Sequence, residues 1–330
     1  MTTPQRIKSA IAVALPKAGK TSLWLFRIIL PISLGVSILQ HFGIIDFIAH
    51  YLSPIFSLVG LPGEAAVVFI TSIFMSLYAP IAIIATLPLN PRDITILALM
   101  CLIAHNMIVE TAVQSKTGSN YAVMFLLRIL AAFATAYVLN RLLPVNMGHA
   151  QASETAVVYH SFGEMLKGWG INTFWLIVKV LLIITGLMVL QSILNEFKIL
   201  DLISKPLSPL MALMGIPKNC TFLWLVAHIL GLTYGSAIMI DSVNNNELTK
   251  EDANLLNYHI AVNHSTLEDT SLFAAIGVPV LWMIVTRFIL AFVVVWFVRF
   301  LQNAFYHSKR NVPVEIEEES TKNNKMINRS

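Results

Sequence analysis

The sequence is poor in charged residues. Only 12% of its 330 residues are Asp, Glu, Lys or Arg, against about 25% in an ordinary soluble domain. Hydrophobic residues make up 56% of the chain, and the mean hydropathy is +0.73. Apolar runs of about twenty residues, the length needed to cross a hydrocarbon core, recur along the chain. This composition excludes a soluble globular domain and predicts an all-α polytopic membrane protein.

The low number of cysteines and the lack of common enzyme motifs limit the classes of function that the sequence supports. The chain has only two cysteines, Cys101 and Cys220, and both lie within apolar runs, so we expect small buried side chains rather than a disulfide. The sequence also lacks phosphate-binding glycine loops, nucleophile elbows and paired zinc-ligand motifs. We therefore expect no enzyme of a familiar class and no cofactor.

The net charge of +4 is concentrated near the N-terminus, at Arg6, Lys8, Lys17 and Lys20. In a membrane protein, basic residues near the ends of spans set the topology more often than they bind nucleic acid. We expect a multi-pass protein of the cell inner (plasma) membrane with a cytoplasmic N-terminus. Its expected partners are membrane lipid and a small-molecule or ion substrate, with no nucleic acid, and a homo-oligomer is compatible with the sequence.

The pattern of polar and apolar residues divides the chain into five segments. They are an amphipathic N-terminal segment (1–19), a first membrane repeat (20–143), a linker with an amphipathic piece (144–170), a second membrane repeat (171–305) and a disordered polar tail (306–330). We expect the first helix to end near Pro16 and to lie along the membrane interface. The apolar piece 44–58 is short and is expected to break at Pro54.

The two membrane segments match each other position by position. The matches are Trp24, Gly35 and Gln40 with Trp175, Gly186 and Gln191 at an offset of 151; Asp46, Pro54 and Pro62 with Asp201, Pro209 and Pro217 at 155; Tyr78 with Tyr234 at 156; and Leu89, Asp93, His105, Thr111 and Arg128 with Leu248, Asp252, His264, Thr270 and Arg287 at 159. Matched Trp, Gln, Asp, Pro, His and Arg in order indicate an internal duplication. Duplicated halves are typical of transporters, and we expect inverted repeats with broken or re-entrant helices.

A break in the helical pattern occurs at matching places in the two repeats. In the first repeat it lies around Tyr78 and Pro80, and in the second around Tyr234, Gly235 and Ser236. Irregular backbone at membrane depth is tolerated only where protein buries it or where it lines a cavity. Tyr78, Tyr234 and Ser236 are therefore candidate substrate-binding residues, although a tyrosine there could equally be a packing residue or an interfacial anchor.

Acidic residues follow each histidine of the repeat. The acids Glu110 and Asp269, with the additional Glu268, are costly at membrane depth and need a reason to be there. One reading makes them ligands of a cation, a proton or a polar solute. The other pairs them with Arg128 and Arg287 in structural ion pairs, within reach across a helical hairpin. Two acids meet one arginine in the second repeat, so one of them is left over as the better functional candidate.

Histidines and asparagines form a third group of candidates: His105, Asn106, Asn257, His259, Asn263 and His264. His264 and Glu268 are four residues apart and share a helix face, as a divalent-metal site requires. If a metal is bound, the expected ligands are His264, Glu268, Asp269, His105 and Glu110. Binding of a polar solute and simple hydrogen bonding between membrane helices are the alternatives.

Two stretches of the second repeat, Gly231-Leu-Thr-Tyr234-Gly235-Ser-Ala and Asn263-His264-Ser-Thr-Leu-Glu268-Asp269-Thr270, resemble the nucleoside-recognition, or Gate, domain. Similar domains occur in concentrative nucleoside transporters, in bacterial ferrous iron transporters and in spore maturation membrane proteins. The resemblance covers two copies over nearly all of residues 20–305 and implies a transporter-like fold. The first copy departs from the pattern, because Ala79-Pro80 stands where the second has Gly235-Ser236.

Three functions remain open from the sequence. The leading hypothesis is a transporter-like protein that binds a small polar solute, a nucleoside or related metabolite, between the repeats and is coupled to a proton or cation. The alternatives are a transporter of divalent metal cations and a membrane scaffold or envelope-maturation factor that transports nothing.

Overall fold

The computed structural model describes residues 2–145, 147 and 161–310, and it is helical throughout. Within that part of the chain there are fourteen α-helices, one 3-10 helix and no strand. They are α1 Thr3–His41, α2 Ile44–Ser57, α3 Ala65–Phe74, α4 Tyr78–Ile84, α5 Pro91–Ala104, α6 Met107–Ser115, α7 Tyr121–Leu142, α8 Phe162–Glu196, α9 Ile199–Leu213, the 3-10 helix Lys218–Cys220, α10 Thr221–Ile229, α11 Leu232–Asn244, α12 Lys250–Val262, α13 Thr266–Ala274 and α14 Val280–Arg310. The all-α prediction is confirmed. Most of the expected tail (311–330) and much of the expected linker (146 and 148–160) lie outside the described residues.

The helices α8 to α14 repeat α1 to α7 in order. Residues with left-handed backbone show the same duplication, because they recur at the offsets found in the sequence. Such pairs are Gly43 with Lys198 and Gly60 with Gly215, each 155 positions apart, and Asn106 with Ser265 and Gly118 with Gly277, each 159 apart. A left-handed turn is conformationally demanding for a residue with a side chain, so chance agreement at four pairs of positions is a poor explanation.

The expected breaks after α3 and α10 are present. α3 ends at Phe74 and α4 begins at Tyr78, while α10 ends at Ile229 and α11 begins at Leu232 after Gly231 with φ of 91°. Pro80 lies in the first turn of α4, where a missing N–H is tolerated. Tyr234, expected at the second break, lies instead inside α11, because the break is complete at Gly231.

A second pair of breaks was not predicted. The apolar run 94–114 has the length of one membrane span, but its helix is interrupted between α5 and α6, and the matching interruption lies between α12 and α13. Asn106 and Ser265 turn the chain with φ of 47° and 46°. Their amides satisfy carbonyl groups at the ends of the other broken helices: Asn106 N donates to Ser72 O at 2.8 Å, and Ser265 N donates to Ala227 O at 2.9 Å. In each repeat, the second break therefore supplies a hydrogen-bond donor to the helix that ends at the first break.

Two expected helix ends are wrong. α1 continues through Pro16 and Pro31 to His41, and α2 continues through Pro54. A proline removes one hydrogen bond of the helix, and neighbouring helices commonly compensate for that loss in membranes. Here α1 packs along α8 for much of its length. The amphipathic segment 1–19 is therefore continuous with the first apolar helix, and α8 likewise absorbs the amphipathic piece that begins at Phe162.

Five helices of the described part are long and apolar enough to cross a membrane. They are Thr3–His41, Pro91–Ser115 (α5 and α6 together), Tyr121–Leu142, Phe162–Glu196 and Val280–Ala304. Large apolar side chains remain exposed on these helices, as a lipid environment requires. The core consists mainly of α3, α4 and α5 in the first repeat and α10 and α12 in the second.

Gly63 permits the close approach of α2 to the turn before α3. A Cβ atom at position 63 would overlap the backbone carbonyl of Ala49. We expect Gly63→Ala to lower the free energy of unfolding by about 1 kcal/mol or more, because the backbone must shift to relieve the overlap. Gly35→Ala in α1, where a Cβ meets nothing within 4 Å, is the control and should be neutral or stabilising. Thermal unfolding in detergent measures both, and equal melting temperatures would contradict the expectation.

Candidate functional site

Two histidines from different repeats face each other at the unpredicted breaks. His105 follows α5, and His264 lies between α12 and α13. Both are buried, and their Nε2 atoms are 3.3 Å apart. The residues occupy equivalent positions, 159 apart. The structure therefore brings together the same site residue of each repeat.

The hydrogen bonds of the rings define which nitrogen carries the proton. Nδ1 of His105 is 3.1 Å from Cys101 O, and Nδ1 of His264 is 2.7 Å from Ile260 O. A carbonyl oxygen only accepts, so both Nδ1 atoms must donate. In the neutral rings both Nε2 atoms are then acceptors, and they point at each other. Two facing lone pairs at this distance repel each other, and a proton or another cation between them would relieve the repulsion.

Buried carboxylates add further acceptors to the histidine pair. Glu110 Oε1 is 3.4 Å from Nε2 of both His105 and His264. Asp269 Oδ2 is 3.8 Å from His105 Nε2 and has no hydrogen-bond partner among the described residues. Glu110 and Asp269 are also 159 positions apart. We call His105, His264, Glu110 and Asp269 the interface cluster.

Arg128 organises the first-repeat side of this cluster. Its side chain is fully buried, and its Nη1 lies 2.8 Å from Glu110 Oε2. Its Nε and Nη2 donate to the carbonyls of Ile103 and His105, each at 2.7 Å. The guanidinium therefore neutralises a carboxylate and satisfies the free carbonyls where α5 ends. The geometry matches the ion pair expected for this repeat.

Arg287 occupies the equivalent position but has different partners. It donates to His264 O at 3.2 Å and to Thr270 Oγ1 at 2.6 Å. No carboxylate of the described chain lies within 4.0 Å of its guanidinium, so the expected ion pair of the second repeat is replaced by hydrogen bonds. Both arginines hold the carbonyl of the cluster histidine that precedes the break. Only the first also neutralises an acid of the cluster.

The additional acid Glu268 connects the repeats at the edge of the cluster. Tyr78 Oη donates a hydrogen bond of 2.6 Å to Glu268 Oε1. Tyr78 is buried and begins α4, whereas Glu268 is half-buried in α13. The tyrosine of the predicted break in the first repeat thus contacts the additional acid of the second repeat.

Other predicted site residues lie apart from the cluster. Tyr234 is 54% exposed on α11, and Ser236 donates to Leu232 O within the same helix. Asn106 acts through its backbone at the break. Asn257 donates to three acceptors at the end of α6 and in the turn after it. Asn263 accepts from Thr266, and its Nδ2 has no hydrogen-bond partner within the described part of the chain.

His259 lies in a buried aromatic group rather than in the cluster. Its ring centroid is 5.3 Å from that of His228 and 6.0 Å from that of Trp224. Neither ring nitrogen of His259 has a hydrogen-bond partner among the described residues. His228 was not predicted as a site residue, although a histidine within an apolar run was a signal available in the sequence.

Comparison with known proteins supports the two-repeat organisation. A family model named Gate and described as nucleoside recognition matches residues 22–120 and 177–290. The Bacillus subtilis (strain 168) protein named "Uncharacterized membrane protein YvoD" is 31% identical over 278 residues, which cover 82% of this chain and 88% of that protein. No solved structure matches the chain. The two matched segments contain all four residues of the interface cluster.

Proposed function

The chain belongs to the Gate (nucleoside recognition) family of membrane proteins, and from this premise we propose that it transports a small polar solute together with a cation. The cation binds at the interface cluster. One observation carries the proposal: four acceptor atoms, two from each repeat, converge in a buried place where the described side chains supply no proton donor between the two histidines.

The position of the cluster supports a transport role. It lies between the repeats and beside four helix breaks, where transporters commonly place their substrate and coupling ions. Ionisable groups inside a membrane protein are costly and usually mark an ion or proton path. A purely structural cluster would pair each acid closely with a base, whereas Asp269 Oδ2 makes no hydrogen bond in the described chain and lies 3.8 Å from its nearest base, His105 Nε2.

A nucleoside or related metabolite is the favoured solute. The description of the family favours it, and the Tyr78 hydroxyl and the Glu268 carboxylate bring polar groups together at the edge of the cluster. The proposed location is the cell inner membrane with the basic N-terminus in the cytoplasm. Membrane lipid, the solute and the cation are the proposed partners, and no enzymatic step is part of the proposal.

Asp269→Asn is the sharpest variant for testing coupled transport. The substitution replaces the carboxyl group beside the histidine pair with an amide of the same size. In proteoliposomes with an imposed pH or cation gradient, we expect uptake of labelled nucleosides by the unmodified protein. Asp269→Asn should reduce that uptake at least about tenfold, the change that corresponds to about 1.4 kcal/mol.

The exposed His50 provides the matched control, because His50→Gln changes a polar side chain far in sequence from the cluster. It should leave uptake unchanged. Two results would refute coupled transport: no nucleoside or related solute is taken up beyond the level of protein-free liposomes, or Asp269→Asn transports as well as the unmodified protein.

A further inference from the structure

The interface cluster has the spacing of a metal site. Nε2 of His105, Nε2 of His264 and Oε1 of Glu110 form a nearly equilateral triangle with edges of 3.3, 3.4 and 3.4 Å. Such a triangle is one face of a tetrahedron whose centre lies about 2.1 Å from each corner, which is the length of zinc–nitrogen and zinc–oxygen bonds. A small octahedral ion with bonds of the same length would need adjacent ligand atoms only about 3.0 Å apart.

A fourth ligand atom is available from the second repeat. The ligand atoms of His105, His264 and Asp269 lie within 4.8 Å of one another. Asp269 Oδ2 is 3.8 Å from His105 Nε2, against 3.3–3.4 Å for the edges of the triangle, so Asp269 is the side chain placed to supply the fourth ligand. Among the described residues, no hydrogen bond holds that oxygen in another position.

The surroundings of the histidines also match those of metal ligands. A ligating imidazole commonly donates its other N–H to a backbone carbonyl or a carboxylate, which fixes the ring and the tautomer. Both cluster histidines do this through Nδ1, to Cys101 O and Ile260 O. The lone pair of each Nε2 is thereby directed at the centre of the cluster.

We infer that the interface cluster binds a divalent transition-metal ion through His105, His264, Glu110 and Asp269. Two imidazoles with carboxylates suit zinc, iron or cobalt better than magnesium or calcium, which take oxygen ligands. This inference rests on the proposed function only in identifying the cation of the same site. Because Arg128 already neutralises part of the Glu110 charge, Glu110 attracts the ion less strongly than an unpaired carboxylate would.

Cobalt binding tests the inference directly. The full-length protein, purified in detergent and stripped with a chelator, is titrated with Co²⁺ and separately with Zn²⁺ and Mg²⁺. We expect one tightly bound Zn²⁺ or Co²⁺ per chain, with the intense visible absorption of tetrahedral Co²⁺, and a rise in melting temperature. Mg²⁺ should bind at least about tenfold more weakly.

Variants of the proposed ligands test whether the metal ion binds at the interface cluster rather than elsewhere on the protein. His105→Gln and His264→Gln should each weaken Zn²⁺ binding at least about tenfold and abolish the tetrahedral spectrum, whereas His50→Gln should retain both. Should a histidine variant fail to fold, Asp269→Asn and the cobalt spectrum of the unmodified protein still decide the matter. An octahedral spectrum, or Zn²⁺ affinity in both histidine variants equal to that of the unmodified protein, would overturn the inference.

The metal result and the transport result are separable. Solute uptake that persists in the presence of chelator, from a protein that binds no Zn²⁺ or Co²⁺, overturns the metal site and leaves coupled transport standing. Tight binding at the cluster without any solute flux supports the metal site and refutes the proposed transport of a polar solute.

Discussion

Replacing Arg128 by glutamine should lower the free energy of unfolding by about 3–5 kcal/mol, the usual loss when one partner of a buried ion pair is removed. The substitution leaves the Glu110 carboxylate buried without its counter-charge. It also removes the donors that hold the carbonyls of Ile103 and His105 at the end of α5. Both lost interactions lie at the break between α5 and α6, which positions His105 of the interface cluster.

The equivalent substitution in the second repeat is an internal comparison. Arg287→Gln removes hydrogen bonds to His264 O and Thr270 Oγ1 but strands no paired carboxylate. We expect a smaller loss, about 1.5–3 kcal/mol, the range for hydrogen bonds made by a charged group. Two substitutions that look equivalent in the duplicated sequence should therefore differ in effect.

A double variant separates the charge from the carbonyl bonds. Arg128→Gln combined with Glu110→Gln removes the stranded charge, so it should be more stable than Arg128→Gln alone. Thermal or denaturant unfolding in one detergent measures all four proteins. Equal losses at Arg128 and Arg287, together with no recovery in the double variant, would show that the buried ion pair is not the source of stability.

The duplication and the polar candidates could be read from the sequence, because both depend on residue identity. Local identity likewise explains the start of α5, where Asn90 is a favourable capping residue and its side chain accepts from Asp93 N at 2.9 Å. The break before Tyr78 was marked by the nearby proline. The breaks at Asn106 and Ser265 carried no such mark. Neither residue is glycine or proline, and the apolar run around Asn106 reads as one continuous span.

The partners inside the interface cluster could not be predicted, because they are set by how the repeats pack. His105 meets His264 across 159 positions, and Tyr78 meets Glu268 across 190. A clue was nevertheless present. When two similar halves pack about a pseudo-twofold axis, equivalent residues near the axis meet each other. A histidine repeated at equivalent positions in costly surroundings is therefore a candidate for such a self-matched contact.

At the prolines of α1 and α2, the sequence predicted helix ends that the structure does not have. From the local sequence, the first helix was predicted to end near Pro16 and the second to break at Pro54, because prolines often end helices in soluble proteins. In the folded chain α1 packs along α8, and that packing outweighs the single hydrogen bond that each proline removes. Tertiary contacts over many residues decide where these helices end.

Asn257→Leu should lower the free energy of unfolding by about 2–3 kcal/mol, because Asn257 fastens the second repeat to the first. Its Nδ2 donates to Thr117 Oγ1 at 2.7 Å, to Ser119 Oγ at 2.9 Å and to Gln114 O at 3.2 Å. Gln114 Nε2 donates in return to Asn257 O at 3.3 Å. Leucine has similar volume but leaves these buried groups of the first repeat without their partner.

The same substitution should disturb the interface cluster, although it touches none of its residues. The histidines come from different repeats, so their 3.3 Å separation depends on the contacts that keep the repeats in register. We expect Asn257→Leu to reduce solute uptake and metal binding as well as the melting temperature. Asn244→Leu, at an exposed position that ends α11, should change none of the three. Normal uptake and normal metal binding in a destabilised Asn257→Leu protein would mean that the cluster is held within each repeat rather than by the contact between them.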